Sequence, residues 1–305
     1  MKKTMTDPKI YYNEQGYYIF RQLVPNDLID NILAEYHQNI LSSSDYFFRQ
    51  SSNKWQKNKI SSHGYCEESF LDIHDYPNHS NFSEAALRIF CSQEVRKALT
   101  ELTGEQDHNL MQSMFFDLNA ATPPHQDWYY LDTLPHGNLL AGWFALEDIC
   151  AEAGRFYVLP KSHLVNLDLS EDEKISHAFY ISKVKNYLEA HKDEIEVPAL
   201  QKGDVLFWNS RTIHGSGETL NPKFSRKSLT AHYIPSQYEF GKRYVPTPTA
   251  VDYSAYEGMK YRLVPLEHRS YSLVGKVKMD LFDYLWQRPK LKRVYDLIKQ
   301  PLKKI

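Results

Sequence analysis

From about residue 110, the chain consists largely of short apolar runs of strand length. Pro, Gly, Asn and Ser separate these runs, and the runs are rich in the β-branched and aromatic residues that favour strands. The clearest of them read MQSMFFDL, GWFALEDI, GRFYVLP, GDVLFWNS and RKSLTAHYI. Many short strands without helices between them predict a barrel or jelly roll, which we place at about residues 109–240.

Helical patterns flank this β core. After a short strand-like YYIF, residues 25–40 carry apolar side chains at helical spacing, and residues 83–102 repeat the pattern with a polar SQE break. Helical propensity returns at about residues 170–191 and again after residue 276. The predicted fold class is therefore mainly β with flanking helices (α+β).

The length and composition predict a single domain. The 305 residues are 42% apolar, which is enough to bury a full core, and no repeat or low-complexity linker divides them. We expect a helical layer over about 1–108, the β core, and a basic helical extension over about 265–305. The 36 Lys and Arg balance 38 Asp and Glu, which argues against a nucleic-acid-binding protein.

The cysteines and the N-terminal residues indicate in which cellular compartment the protein is expected. The three cysteines are odd in number and widely spaced, which argues against a disulfide framework or a structural zinc site and favours a reducing cytoplasm. No stretch approaches 18 uninterrupted apolar residues, and no apolar region follows the two N-terminal lysines. We expect neither a transmembrane segment nor a secretion signal.

A His-x-Asp pair, His125 and Asp127, follows two prolines at a predicted strand edge. Residues i and i+2 of an extended chain face the same way, so both side chains could bind one metal ion. Two histidines and one carboxylate leave a face of Fe(II) open for a bidentate co-substrate and O2. Such a pair also arises by chance among 13 histidines and 38 acidic residues, and a zinc hydrolase could use the same ligand types.

Two later segments could complete a site of this kind. GDVLFWNSRTIHGSG reads as a strand and a turn that lead to His214. The alternation in RKSLTAHYI then puts Arg226, Ser228, Thr230 and His232 on one face. An inward-facing arginine needs a carboxylate, and its planar fork suits a bidentate one. We therefore expect Arg226 to bind the distal carboxylate of 2-oxoglutarate, with help from the Ser228 hydroxyl.

These motifs, in this order, resemble the phytanoyl-CoA dioxygenase family. The resemblance covers roughly residues 10–235 and is carried by YYNEQGYYIFRQLVPNDLIDNIL, HQDWYY, AGWFALEDICAEAGRFYVLPKSH and GDVLFWNSRTIHGSGETLNPKFSR. It implies a double-stranded β-helix, the cupin-like jelly roll. It also implies an enzyme that uses Fe(II), 2-oxoglutarate and O2, releases succinate and CO2, and hydroxylates an aliphatic C–H bond.

The resemblance also assigns roles to individual residues. It implies that His125, Asp127 and His214 bind iron and that Arg226 binds 2-oxoglutarate. Two further co-substrate contacts are implied at Trp143 and Ser216.

Some features of the sequence bear on the reaction and the substrate. Asp127 favours hydroxylation, since halogenating relatives have a small residue there. Arg155 and Lys161 occupy positions that are more often apolar or glycine in the family, which weakens any transfer of substrate identity. A small-molecule, acyl or glycan-type substrate remains open, as do desaturation, cyclisation, epimerisation and a non-catalytic β-helix binding module.

Other residues have both a functional and a structural interpretation. Trp128, Tyr129 and Tyr130 follow the metal pair directly, where aromatic side chains often form the wall of a substrate pocket, although ordinary packing is an alternative. His163 is expected to be structural, and His232 either packs in its strand or lies beside the metal ligands.

The C-terminal segment is basic and amphipathic. Residues 276–305 hold nine Lys or Arg against three Asp. Their apolar residues form stripes at Leu281, Phe282, Leu285, Trp286, Leu291, Val294, Tyr295 and Ile298. Such a helix could lie on an anionic membrane surface, or pack on the body of the protein with its basic face in water.

Overall fold

The structure is a computed structural model that describes residues 7–170, 173 and 176–286. The chain divides into two compact units, residues 1–263 and 264–305. The first unit contains every strand described below, together with five of the helices.

The N-terminal helices begin and end where the local sequence favours it. Asp7 accepts hydrogen bonds from the backbone N–H groups of Lys9 and Ile10, and Gly16 ends that helix in the left-handed conformation. Ser92 accepts from the Val95 N–H in the same way, so the predicted SQE break is the start of a new helix. The helices of the first unit are α1 (Pro8–Gln15), α2 (Asn26–Glu35, extended by a π turn, Tyr36–Ile40), α3 (Ser80–Phe90), α4 (Gln93–Thr103) and α5 (His177–Ala190).

All five of the clearest predicted strand segments form strands. The strands are β1 (Tyr17–Phe20), β2 (Phe47–Arg49), β3 (Lys54–Gln56), β4 (Phe70–Leu71), β5 (His108–Phe116), β6 (Asp132–Leu134), β7 (Leu140–Ala145), β8 (Phe156–Val158), β9 (Val205–Asn209), β10 (His214–Ser216), β11 (Ser228–Pro235), β12 (Glu239–Gly241), β13 (Tyr253–Tyr256) and β14 (Met259–Arg262). The large sheet has the order β1-β9-β7-β11-β5-β14-β13, with β4 also on β5, and it is antiparallel except for the β14–β5 pair. Three further antiparallel pairs are β10–β8, β12–β6 and β2–β3.

The two faces of the large sheet have different partners, and this difference positions the site. On β11, Leu229, Ala231 and Tyr233 join the main apolar core, to which α2, α3 and α4 contribute. On β7, the alternate residues Ala141 and Trp143 pack instead with apolar residues of β8 and β9. Because side chains alternate along a strand, Thr230 and His232 of β11 lie on the face away from the helical core. Burying each large core side chain contributes about 1.5–3 kcal/mol, which holds this orientation firmly.

The second unit contains α6 (Leu266–Arg269) and α7 (Leu273–Trp286). Leu273, Val274, Val277 and Leu281 of α7 are each more than half exposed. Within the described residues, no helix is long and apolar enough to cross a membrane. The predicted apolar stripe at Leu291, Val294, Tyr295 and Ile298 lies outside the described residues.

Candidate metal centre

His125 and His214 are joined through their backbones. The N–H of each donates to the carbonyl of the other over 3.1 Å, so the two residues form an isolated antiparallel bridge. His214 is also the first residue of β10, which pairs with β8. The bridge brings the two imidazole ring centres to 4.3 Å from each other.

Asp127 completes the cluster predicted from the sequence. Its Oδ1 lies 3.4 Å from Nε2 of His125 and 3.5 Å from Nε2 of His214. The ligand atoms of the three residues all lie within 4.8 Å of one another. This spacing is compatible with three ligands on one side of a single metal ion.

The outer hydrogen bonds of both histidines favour metal binding through Nε2. Nδ1 of His125 lies 2.9 Å from the Pro123 carbonyl, and Nδ1 of His214 lies 2.9 Å from the Thr212 carbonyl. A carbonyl only accepts, so each ring carries its hydrogen on Nδ1 and presents a lone pair on Nε2. Histidines that bind metals are commonly oriented in this way.

The electrostatics keep the cluster in the protonation state that a metal requires. Burial alone would raise the pKa of Asp127, but its interactions with His214, His232 and His125 outweigh burial and hold the pKa well below the usual range. Burial lowers the pKa of His214, which favours the neutral ring. The donor set is thus one ionised carboxylate and two imidazoles that each present Nε2, which suits Fe(II).

Arg226 lies in the wall of the same cavity as the cluster and has no anionic partner among the described residues. Its Nη1 donates to the Ser216 hydroxyl over 2.8 Å and to the Gly154 carbonyl over 3.0 Å, while the buried Nε has no hydrogen-bond partner. Burial lowers its pKa to about 10, so the guanidinium is still charged at neutral pH. A buried cation with unused donors is costly without a carboxylate, so the position fits a ligand such as 2-oxoglutarate.

Three residues were predicted to assist Arg226, namely Trp143, Ser216 and Ser228, and the structure adds Phe116. Trp143 and Phe116 flank the guanidinium, with ring centres 5.8 and 5.9 Å from its carbon, and Ser216 contacts it directly. Ser228 is fully buried, and its hydroxyl donates to the Arg226 carbonyl over 3.3 Å. Its side chain therefore contacts the backbone, and Ser216 is the serine that contacts the guanidinium.

A cavity of about 420 Å³ connects these groups. The three metal-cluster residues, Arg226, Trp143 and Ser216 all contribute to its wall. The other lining residues are Gln50, Asn53, Leu71, Gln112, Met114, Phe116, Thr122, Pro123, Tyr130, Leu131, Phe156, His177, Trp208, Gly215, Thr230 and His232.

Of the three aromatic residues after the metal pair, only Tyr130 lines the cavity. Its hydroxyl is 2.7 Å from Nε2 of His177. The ring of Trp128 lies instead between the guanidinium groups of Arg211 and Arg243, at 4.5 and 4.6 Å. Tyr129 stacks on another tyrosine of the protein, with ring centres 3.9 Å apart.

Trp208 was not predicted from the sequence to contact the metal cluster, and for His232 the sequence left two interpretations open. Trp208 donates its indole N–H to Oδ2 of Asp127 over 2.8 Å, and Nε2 of His232 is 3.5 Å from the same oxygen. The alternation of side chains along β9 could have indicated Trp208, since Leu206 and Trp208 lie on the face opposite the helical core. His163 has Nε2 at 3.0 Å from the Asn13 carbonyl, which is consistent with the structural role expected for it.

Comparison with known proteins supports the same interpretation. Residues 12–228 match the model of the phytanoyl-CoA dioxygenase (PhyH) family. Peroxisomal phytanoyl-CoA dioxygenase of Rattus norvegicus is 22% identical over 280 residues, which covers 88% of this chain and 78% of the rat protein. The Homo sapiens protein is 28% identical over 122 residues, and this match spans 39% of this chain but only 35% of the human protein.

Solved structures share the fold at low sequence identity. The epimerase SnoN, in complex with Fe3+, alpha ketoglutarate and nogalamycin RO, has a TM-score of 0.58 and 18% identity, covering 85% of this chain and 95% of that one. EctD from S. alaskensis with 2-oxoglutarate and 5-hydroxyectoine has a TM-score of 0.54 and 17% identity, covering 79% and 80%. The predicted fold class is confirmed. Since the family model matches most of its length, this chain belongs to the phytanoyl-CoA dioxygenase family.

Proposed function

We propose that the chain hydroxylates an aliphatic C–H bond of a small molecule or carrier-linked substrate, using iron held by His125, Asp127 and His214 and 2-oxoglutarate held by Arg226. One observation carries this proposal. An ionised carboxylate and two imidazoles converge in a cavity whose wall also contains a buried arginine without an anionic partner among the described residues.

The enzyme class agrees with the prediction from the sequence. The chain is a 2-oxoglutarate-dependent non-haem iron oxygenase by family, and its cofactors are Fe(II), 2-oxoglutarate and O2. Hydroxylation, as the outcome of the reaction, is proposed from fewer observations than the enzyme class. Asp127 supports hydroxylation, whereas the fold neighbours include an epimerase and the carbocyclase SnoK, so the same cofactors also serve other outcomes.

The residues of the chain position the reactants. When bound, iron and 2-oxoglutarate would activate O2, which would oxidise 2-oxoglutarate to succinate and CO2 and the substrate C–H bond to an alcohol. The Nδ1 hydrogen bonds fix the rings of His125 and His214, and Trp208 holds Oδ2 of Asp127 so that Oδ1 faces them. Arg226 orients the distal carboxylate of the co-substrate, and the rings of Trp143 and Phe116 exclude water from its guanidinium.

Two rival functions fit the site less well. A non-catalytic binding module would have no requirement for a complete metal cluster, yet all three ligands and Arg226 are in place. A zinc hydrolase could use two histidines and an aspartate, but it would have no use for the buried cation.

The test is an anaerobic titration of the Fe(II)-loaded protein with 2-oxoglutarate, monitored by the weak visible metal-to-ligand charge-transfer band. A saturable band is expected. His125→Ala should abolish it and Arg226→Ala should shift it to higher 2-oxoglutarate concentration, whereas His63→Ala, at an exposed histidine, should match the unmodified protein. A folded, iron-loaded protein with no band would overturn the assignment of the site.

We further propose that α7 makes peripheral contact with anionic membranes from a reducing compartment such as the cytoplasm. Leu273, Val277 and Leu281 are spaced four residues apart, so they form one exposed apolar stripe on α7. The basic sequence of residues 276–305 complements anionic lipid headgroups. The three cysteines are free thiols, which supports the compartment, and cell fractionation of the tagged protein would test it.

A further inference from the structure

The cavity contains polar groups that neither iron nor 2-oxoglutarate explains. The side-chain amides of Gln50, Asn53 and Gln112 line it and make no hydrogen bond to any described residue. Gln112 lies on β5 opposite His232 of β11, while Gln50 and Asn53 lie in the turn that joins β2 to β3. A glycan-binding or amide-binding wall would require such groups, because a carboxamide both donates and accepts.

Further polar groups line the same space. Thr122 contributes a hydroxyl with no hydrogen-bond partner among the described residues. Tyr130 and His177 form a hydrogen-bonded pair beside His125.

The charges in the cavity disfavour an anionic group over the metal cluster. Among its described lining residues, Arg226 is the only lysine or arginine, and the co-substrate occupies it. With Fe(II) and the co-substrate dianion bound, the charges of the metal, Asp127, the co-substrate and Arg226 would cancel, so a further carboxylate or phosphate would find no unbalanced cation. Leaving a charge unpaired in a cavity of low dielectric is strongly unfavourable.

The remaining wall is apolar. Leu71, Met114, Leu131 and Phe156 face the same space as the amides. A ring that carries hydroxyl groups at its edge and C–H bonds on its faces matches a wall of this mixed kind. A long acyl chain would leave the three amides without partners, which costs free energy when they are desolvated.

We propose that the substrate group held over the metal cluster is uncharged and polyhydroxylated, such as a glycosyl unit, and that Gln112 determines this specificity. The inference rests on the proposed function and names its substrate class. Gln112 is a specificity residue here because it lies on the rigid β5–β11 pair, whereas Gln50 and Asn53 lie in an exposed turn.

The test measures binding of small probes close to the metal. The protein is loaded with Mn(II) and 2-oxoglutarate, and paramagnetic relaxation of probe protons is recorded for methyl glycosides, the matching uronates and medium-chain fatty acids. Methyl glycosides should relax in a metal-dependent manner, and uronates and fatty acids should relax less. The proposal is overturned if uronates or fatty acids bind over the metal more tightly, or if no methyl glycoside relaxes.

A pair of variants tests whether Gln112 is responsible for glycoside binding. Gln112→Met keeps the side-chain volume and removes the amide, so glycoside affinity should fall about tenfold, the usual effect of losing one or two hydrogen bonds. Gln38→Met, at an exposed glutamine of the π turn, is the matched control and should have no effect. Equal affinity in the two variants would contradict the role of Gln112.

The Fe(II) charge-transfer titration distinguishes a failure of the proposed function from a failure of the proposed substrate class. A missing band would mean that the proposed function has failed. A normal band together with glycosides that do not relax would mean that only the substrate class is wrong.

Discussion

The indole N–H of Trp208 donates to Oδ2 of Asp127 over 2.8 Å, and the same carboxylate turns its other oxygen, Oδ1, towards His125 and His214. The tryptophan thus decides which oxygen of Asp127 is available to a metal. Trp208 belongs to β9, which pairs with β1 on one side and β7 on the other, so the sheet itself orients the ligand.

Replacing Trp208 should therefore weaken metal binding without removing a ligand. In Trp208→Phe the ring remains but the donor is lost, and we expect affinity for Fe(II) to fall about 10- to 100-fold, as is typical when a group that orients a ligand is removed. Anaerobic Fe(II) titration measures this effect. Trp55→Phe, on β3, is the matched control, and equal affinities in the two variants would rule out an orienting role for Trp208.

Removing the Arg226 guanidinium should act on the co-substrate alone. Arg226→Ala leaves the co-substrate carboxylate without its partner in a buried site, which typically costs about 2–5 kcal/mol. The 2-oxoglutarate concentration for half-maximal charge-transfer absorbance should rise accordingly, while Fe(II) affinity in the absence of 2-oxoglutarate stays close to that of the unmodified protein. Arg88→Ala, at an exposed arginine of α3, serves as control. An unchanged 2-oxoglutarate requirement would remove Arg226 from the site.

His108 should make the protein less stable in mild acid. Burial lowers its pKa from 6.5 to about 4, although the charge of Asp107 acts in the opposite direction. Between these values the unfolded chain takes up a proton that the folded protein refuses, so stability falls as the pH drops below 6.5. At pH 5 the loss is about 2 kcal/mol, since each pKa unit corresponds to about 1.4 kcal/mol.

The matching variant is His108→Gln, which cannot titrate. Urea unfolding at pH 7.5 and pH 5 should show that this variant loses about 2 kcal/mol less stability than the unmodified protein over that interval. Other histidines contribute equally to both proteins and cancel in the comparison. Identical losses would mean that His108 binds its proton in the folded state.

The apolar stripe on α7 should govern membrane association. The double variant Val277→Ser and Leu281→Ser removes two exposed apolar side chains, so co-sedimentation with phosphatidylserine vesicles should drop sharply. Phosphatidylcholine vesicles, which carry no net charge, are the lipid control and should retain little of either protein. Equal sedimentation of both proteins with anionic vesicles would contradict peripheral contact through this face.

The sequence predicted those parts of the site that depend on local alternation. His125 and Asp127 are two residues apart in nearly extended chain, and the parity of β11 separates Thr230 and His232 from the core residues Leu229 and Ala231. Periodicity of this kind requires no knowledge of distant contacts.

Alternation could not be used after the metal pair, where the backbone leaves the extended conformation. A 3-10 turn, Asp127–Tyr129, begins directly after Gln126, so alternation no longer applies. Tyr130 consequently lines the cavity, while Trp128 and Tyr129 pack elsewhere. Ser228 starts β11 just after Arg226, and its hydroxyl contacts the Arg226 backbone and not the guanidinium.

Contacts between distant segments could not be predicted from local sequence patterns. Gln50 and Asn53 reach the cavity through the turn between β2 and β3, and His177 reaches it as the first residue of α5. Neither element carries a motif that marks a site. Their positions depend on how the helical layer and the sheet pack, which a single sequence does not specify locally.

The mutual backbone bridge between His125 and His214 joins two segments that are far apart in the chain by one pair of hydrogen bonds. Any fluctuation that lifts the segment around His125 away from β10 also separates two of the three proposed metal ligands. Opening of this region and release of the ion are therefore a single thermodynamic event. At a free metal concentration 100 times the dissociation constant, closing this region gains about 2.7 kcal/mol, so the melting temperature of the protein should report how much iron it holds.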